Sequence, residues 1–277
     1  MSVKTRAPLL MGAILLLASL LVMRTAPVQA VTIFEGAGLV NVTAAVTDFR
    51  AVLGNPNNGN APGPLTDGRR EINWDARIVP FEMPGDFFNT TVPRGAVFTT
   101  PGSGFRVSND GSDNEFNTFN AAYPDEFATF SPQRLFSPLD STITDVRFFV
   151  PGSNTPAFVQ GFGAIFTDVD LADVSRLEFF DLRGNTLLSR TVLPDAQGLS
   201  FLGVFFDGGE RIGRVRMTSG NTHLGGLDGL ATDVVVLDDL LYSEPQAVSE
   251  PGSLSLMGSG VIGLLGYGWR RRKFPPV

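Results

Sequence analysis

The sequence predicts an all-β fold, an antiparallel β-sandwich of jelly-roll type, flanked by an N-terminal signal peptide and a C-terminal transmembrane helix. Two observations predict the sandwich. In the second half of the chain, β-branched and aromatic runs recur about every 8–12 residues, each closed by Gly, Pro, Asn or Asp. Near residues 211–217, Val215 and Met217 share one face while Arg214 and Arg216 share the other, the period-two mark of a half-buried strand. A third observation, an apolar stretch bounded by cations at each end of the chain, predicts the flanks.

Taken in order, Lys4 and Arg6 precede an apolar stretch over residues 9–23, and Val28-Gln29-Ala30 offers small residues to a signal peptidase. The division that follows is a signal peptide at 1–30, an exported sandwich domain at 31–247 and a tail at 248–277. Residues 31–35 read as the first strand. Residues 39–53 stay open. Val40, Val42, Ala44 and Val46 alternate as in a strand, while residues 48–53 suit a helical turn. Residues 54–64 are a loop by composition, and residues 69–75 a short strand carrying Trp74. Residues 80–131 are loop-rich, with short strands expected at Phe87-Phe88, Val97-Phe98, 105–107 and 127–130. Strands are then expected at 143–150, 157–168, 175–181, 186–193, 199–207, 211–219 and 233–242. No long amphipathic helix is expected.

Charge and composition narrow the function. All 28 acidic residues but only 14 of the 21 basic ones lie in residues 31–250, leaving that part at −14. Such a balance argues against nucleic acid or anionic lipid as partner and admits divalent cations. Every cation in this part is Arg. With no cysteine, disulfides, iron–sulfur clusters and thiol nucleophiles are absent, so stability must come from burial, with 23 Phe as the main reservoir.

In the tail, Ser249-Glu250-Pro251 precedes an uncharged run at 254–269, followed by Arg270, Arg271, Arg272 and Lys273. Sixteen helical residues reach about 24 Å, against a hydrocarbon core of about 30 Å. Tyr267 and Trp269 extend the span at the interface, and the cations hold that end in the cytoplasm. This arrangement resembles the PEP-CTERM sorting signal of exopolysaccharide-producing Gram-negative bacteria, with Ser249 in place of the first Pro of the usual Pro-Glu-Pro. The resemblance implies an exosortase-type processing enzyme as partner, an inner-membrane intermediate, and a final place in the cell envelope or outside the cell. Segments within residues 140–245, among them 161–170, 176–185, 198–207 and 235–239, resemble the core of β-sandwich domains in bacterial PEP-CTERM proteins. Those domains look distantly like carbohydrate-binding jelly rolls, and the resemblance implies no activity.

Candidate sites follow from residue types. A Ser–His–Asp set needs a histidine base, and the one histidine, His223, sits in a turn-rich segment without a glycine-framed serine elsewhere. Zinc needs more His or Cys than the chain has. A structural calcium suits the composition better, with Asp168, Asp170, Asp173, Asp238 and Asp239 as the ligands expected and 110–115 as another oxygen-rich loop. Carboxylate pairs such as Glu71/Asp75 or Asp113/Glu115 would serve a glycosidase. Trp74 and Tyr123 are the candidate aromatic platforms for a sugar, with a core position the alternative for Trp74, which shares a face with Ile72.

The reading that follows is a non-enzymatic surface or extracellular-matrix protein, sorted through Ser249, Glu250, Pro251 and Arg270–Arg272, whose sandwich is an interaction module for exopolysaccharide. The alternative is a secreted polysaccharide hydrolase. A third reading, ice binding, lacks the regular Thr-rich array that such a surface needs.

Overall fold

Period-two patterning carries most of the second half of the chain into strands. A computed structural model describes residues 31–109 and 114–248. In chain order the elements are β1 (Val31–Ala37), α1 (Leu39–Leu53), β2 (Arg69–Ile72), α2 (Phe87–Thr90), β3 (Ala96–Thr99), β4 (Gly104–Val107) and α3 (Tyr123–Glu126). There follow β5 (Phe136–Leu139), β6 (Ile143–Phe148), β7 (Ala157–Phe158), β8 (Gly161–Val169), β9 (Arg176–Asp181) and β10 (Thr186–Thr191). The last four are β11 (Asp195–Phe206), β12 (Ile212–Thr218), β13 (Val236–Ser243) and β14 (Gln246–Ala247).

The strands form two main antiparallel sheets. The larger runs β1-β11-β8-β13-β5-β4, with β2 also paired to β13, and the smaller runs β10-β9-β12-β6-β3. The main core lies between them. Phe162, Phe166, Val204, Phe206 and Leu240 from the larger sheet meet Phe98, Phe148, Phe179, Val215 and Met217 from the smaller, all buried. Phe179 and Phe206 meet edge to face at 5.8 Å across this layer. On β12, Val215 and Met217 point inward while Arg214 and Arg216 both bond Asp145 of β6, as the alternation predicts. The fold is thus all-β and sandwich-like.

The open segment at residues 39–53 is a helix, which corrects the expectation of no long amphipathic helix. Val42, Val46, Phe49 and Leu53 are buried at spacings of four, three and four, a helical stripe. Val40, part of the apparent alternation, is 81% exposed. The stripe covers the outer face of the larger sheet, packing on Ile165, Phe201 and Leu241. Phe49 of the stripe lies close over Gly163 and Gly203, cross-strand partners in β8 and β11. A Cβ on Gly163 would stand 2.9 Å from the Phe49 ring.

Other boundaries moved for identifiable reasons. The pair Phe87-Phe88 lies in the short helix α2, and residues 127–130 follow α3 without strand pairing. The expected strand at 157–168 divides into β7 and β8, which join different sheets. Strand β5 contains Pro138, whose missing N–H hides it from a strand reading. The expected signal peptide at 1–30, Ser249–Pro251 and the apolar run at 254–269 lie outside the described residues. Among the described residues no helix is long and apolar enough to cross a membrane.

Candidate functional site: a carboxylate cluster at the sheet end

At one end of the larger sheet, β8 finishes while its neighbours β11 and β13 begin, and acidic side chains from three segments converge there. Asp168 sits near the end of β8 with φ 64°, a left-handed conformation that Asp tolerates better than most residues. Opposite it, the pairing of β11 with β8 shifts between Asp195 and Leu199. The extra residues carry Gln197, whose backbone N–H donates to Asp168 Oδ1 at 2.7 Å. The Gln197 side chain donates to Glu126 Oε2 at 3.1 Å. Asp228, in the segment before β13, accepts the Gly229 and Val234 N–H groups on Oδ1 at 3.1 and 3.2 Å. One carboxylate oxygen from each of Glu126, Asp168 and Asp228 lies within 4.8 Å of the other two.

Two more acids flank this trio. Asp233, fully buried, accepts the Leu171 N–H on Oδ2 at 3.0 Å. Asp170 follows Val169 at the strand end. Three buried oxygens, Asp168 Oδ2, Asp170 Oδ1 and Asp233 Oδ1, have no hydrogen-bond partner among the described residues. Burial pushes Asp168 up to about 7, against the Gln197 hydrogen bond and with help from the charges of Asp170, Asp228 and Glu126. Burial likewise raises Asp233 to about 6, and raises Asp170, on which Asp228 and Glu126 also act.

Beneath the cluster, Phe116, Tyr123, Phe127, Leu135, Leu224, Val234 and Val236 form a separate apolar core. Tyr123 links two of the acid-bearing segments. Its hydroxyl donates to the Gly226 carbonyl and accepts the Gly225 N–H, each at 2.9 Å. The helix that carries Glu126 is thereby tied to the segment that carries Asp228.

Of the expected calcium ligands, Asp168 and Asp170 meet here, whereas Asp173 is exposed on the next turn and is not among the converging trio. Asp238 and Asp239 belong to a different network, which corrects their assignment to this set. A bulge in β13, where pairing shifts between Leu237 and Leu240, turns both inward. There the Ser131 hydroxyl is 2.7 Å from Asp239 and 3.2 Å from both Asp238 and Asp75, and the Phe130 N–H reaches Asp238 at 2.5 Å. Burial and the neighbouring Asp239 charge hold Asp238 well above the usual carboxylate range.

The exposed-platform expectation fails for both aromatics. Trp74 is 1% exposed, stacked on Phe136 at 4.2 Å with its indole N–H on the Asp238 carbonyl. Tyr123 is equally buried. Glu71 is taken up by Arg50 and Arg69, and Asp75 by Ser131 and the Arg134 N–H. His223 Nδ1 lies 2.9 Å from the Leu224 carbonyl. Asp113 lies outside the described residues. Sequence reasoning missed Glu126, Asp228 and Asp233, because they lie some 40–65 residues from Asp168 and no spacing announces them.

Residues 247–273 match the PEP-CTERM protein-sorting motif. Neither a curated protein nor a solved structure matches the chain. The motif marks an exported protein handled by exosortase-type machinery and sorted across the membrane to the cell envelope or surface.

Proposed function

We propose that the chain is a non-enzymatic surface or extracellular-matrix protein whose sandwich, jelly-roll in type, is a binding module for exopolysaccharide. On this reading the signal peptide is removed after Ala30, residues 254–269 hold the chain in the inner membrane, and processing occurs at Ser249-Glu250-Pro251. The observation that carries the reading is the sorting motif at 247–273, which begins on the domain's last strand. The Val248 N–H still bonds the Pro156 carbonyl at 3.1 Å, so the folded part reaches to the edge of the processing site.

With Trp74 and Tyr123 buried, the sugar is assigned to a cleft of about 400 Å³ beside the end of α1. Asn55, Gln160 and Gln246 line it with amides, and Phe158 and Phe205 with half-buried rings. Amides beside aromatic rings suit neutral hydroxyl-rich ligands. The test is retardation of the purified protein in gels cast with exopolysaccharide from its native host. Retardation lost on combining Phe158→Ala with Gln160→Ala supports the reading. Unretarded migration at every polysaccharide concentration overturns it, and shortening of the polysaccharide would establish the hydrolase alternative.

A further inference from the structure

We propose that Glu126, Asp168 and Asp228, flanked by Asp170 and Asp233, form a calcium-binding site that clamps α3, the end of β8 and the segment before β13. This inference is independent of the polysaccharide reading.

Geometry is the first support. Oxygen ligands of calcium stand about 2.3–2.6 Å from the ion, so ligands on opposite sides are about 5 Å apart. The trio's oxygens lie within 4.8 Å of one another, which fits one shared ion. The second support is an unsatisfied buried group. Asp168 is 1% exposed, and its Oδ2 has no partner among the described residues. A buried carboxylate oxygen left unpaired is costly, and a bound cation removes that cost.

The way each ligand is held points the same way. Asp168 uses Oδ1 for the Gln197 N–H, Asp228 uses Oδ1 for two backbone N–H groups, and Glu126 uses Oε2 for the Gln197 side chain. In each case one oxygen fixes the carboxylate and the other is left for a ligand. No ion pair among the described residues neutralises the cluster. Arg50, Arg69, Arg70, Arg190, Arg214 and Arg216 pair instead with Glu35, Glu71, Asp145 and Glu244.

The donor set selects the metal. It is all oxygen, as hard cations prefer, and among the described residues no histidine joins Glu126, Asp168 and Asp228. Magnesium usually keeps several waters and takes one or two carboxylates, whereas calcium accepts more protein oxygens in looser geometry. Extracellular calcium modules bind at about 10⁻⁴–10⁻³ M, and a site built from three segments of an exported domain belongs in that range.

The test is calcium titration of the full chain in detergent, followed by calorimetry and by thermal unfolding, with magnesium as the comparison ion. One calcium per chain is expected, with a midpoint of unfolding that rises with calcium, falls on chelation and responds less to magnesium. Asp168→Asn and Asp228→Asn each weaken binding by at least about tenfold, since Asn keeps the Oδ1 acceptor but loses the ligating charge. Should Asp168→Asn fail to fold, Glu126→Gln on the half-exposed helix gives the same readout. Asp48→Asn, on the exposed side of α1, leaves binding unchanged. A wild-type midpoint that calcium does not move, site variants whose calcium-induced shift equals the wild type's, or preference for magnesium would overturn the proposal.

Discussion

Arg70 and Glu244 form a bidentate ion pair, at 2.7 Å through both Nε and Nη2, with side chains 0% and 3% exposed. The remaining Arg70 nitrogen donates to the carbonyls of Gly59, Ala61 and Pro93, and Glu244 also accepts from Asn58 and the Leu65 N–H. The pair thus ties the 54–64 loop to the stretch that leads into the sorting motif. Removing one partner of a buried pair strands the other charge, at a cost of about 3–5 kcal/mol. Glu244→Gln is expected to lower unfolding stability by that amount in urea titration. A loss below about 1 kcal/mol, the level of an exposed pair, would contradict the role assigned here.

The Phe49 ring needs the bare backbone of Gly163 and Gly203. A Cβ on Gly203 would stand 2.8 Å from the Phe201 ring and 3.1 Å from the Phe49 ring. Overpacking of this kind costs about 1–3 kcal/mol. Gly203→Ala is therefore expected to destabilise the protein by that amount, and Phe49→Leu, which makes room, to recover part of it in the double variant. Strict additivity of the two losses would show that the ring does not rest on this seat.

Asp238 carries a pH dependence whose sign follows from its burial. The groups facing it are Asp239, Asp75, the Ser131 hydroxyl and the Phe130 N–H, with no cation among its hydrogen-bond partners in the described residues. Asp238 stands well above its ordinary value of 3.8, and Asp239 is raised too, first by burial. Above pH 3.8 the unfolded chain ionises these groups while the folded chain resists. Their contribution is therefore greatest below that pH and declines as pH rises toward the folded values, by at most about 1.4 kcal/mol per unit for each group. Asp238→Asn mimics the protonated acid. It should cost little near neutral pH and flatten the decline seen in the wild type. A decline of the same slope in the variant would remove Asp238 as its source.

Asp145 works in the opposite direction. Burial opposes its ionisation, but Arg216 and Arg214 hold it below the usual carboxylate range. The stability it gives is present above its ordinary value and lost as acid protonates it. Asp145→Asn should therefore lower stability at neutral pH and abolish part of the acid-side loss in pH-jump unfolding. An unchanged acid limb would contradict the assignment.

The legible parts of the chain are those where local pattern and tertiary place agree. The strands from β6 to β13 alternate or run apolar as their one- or two-sided burial requires, so Val215 and Met217 could be placed on one face and Arg214 and Arg216 on the other in advance. Helix α1 was obscured because Val40, Val42, Ala44 and Val46 mimic a strand, while the decisive positions, Phe49 and Leu53, lie further on. Strand β5 was hidden by Pro138. In the site, Asp168 and Asp170 were visible as paired acids at a strand end. Glu126, Asp228 and Asp233 were not, since the irregular register of β11 at Gln197 and the Tyr123 link create their proximity. Asp238 and Asp239 looked like ligands by composition, yet the β13 bulge commits them to Ser131.

The central claim is that the tail is a processing signal on an exported domain, and intact mass of the mature protein from its native host tests it most directly. A mass that starts at Val31 and ends within Ser249–Pro251, with the end lost when Glu250 and Pro251 are both replaced by Ala, is the predicted result. A mass that retains Arg270, Arg271, Arg272 and Lys273 in the wild type would make the tail a plain anchor and contradict the account.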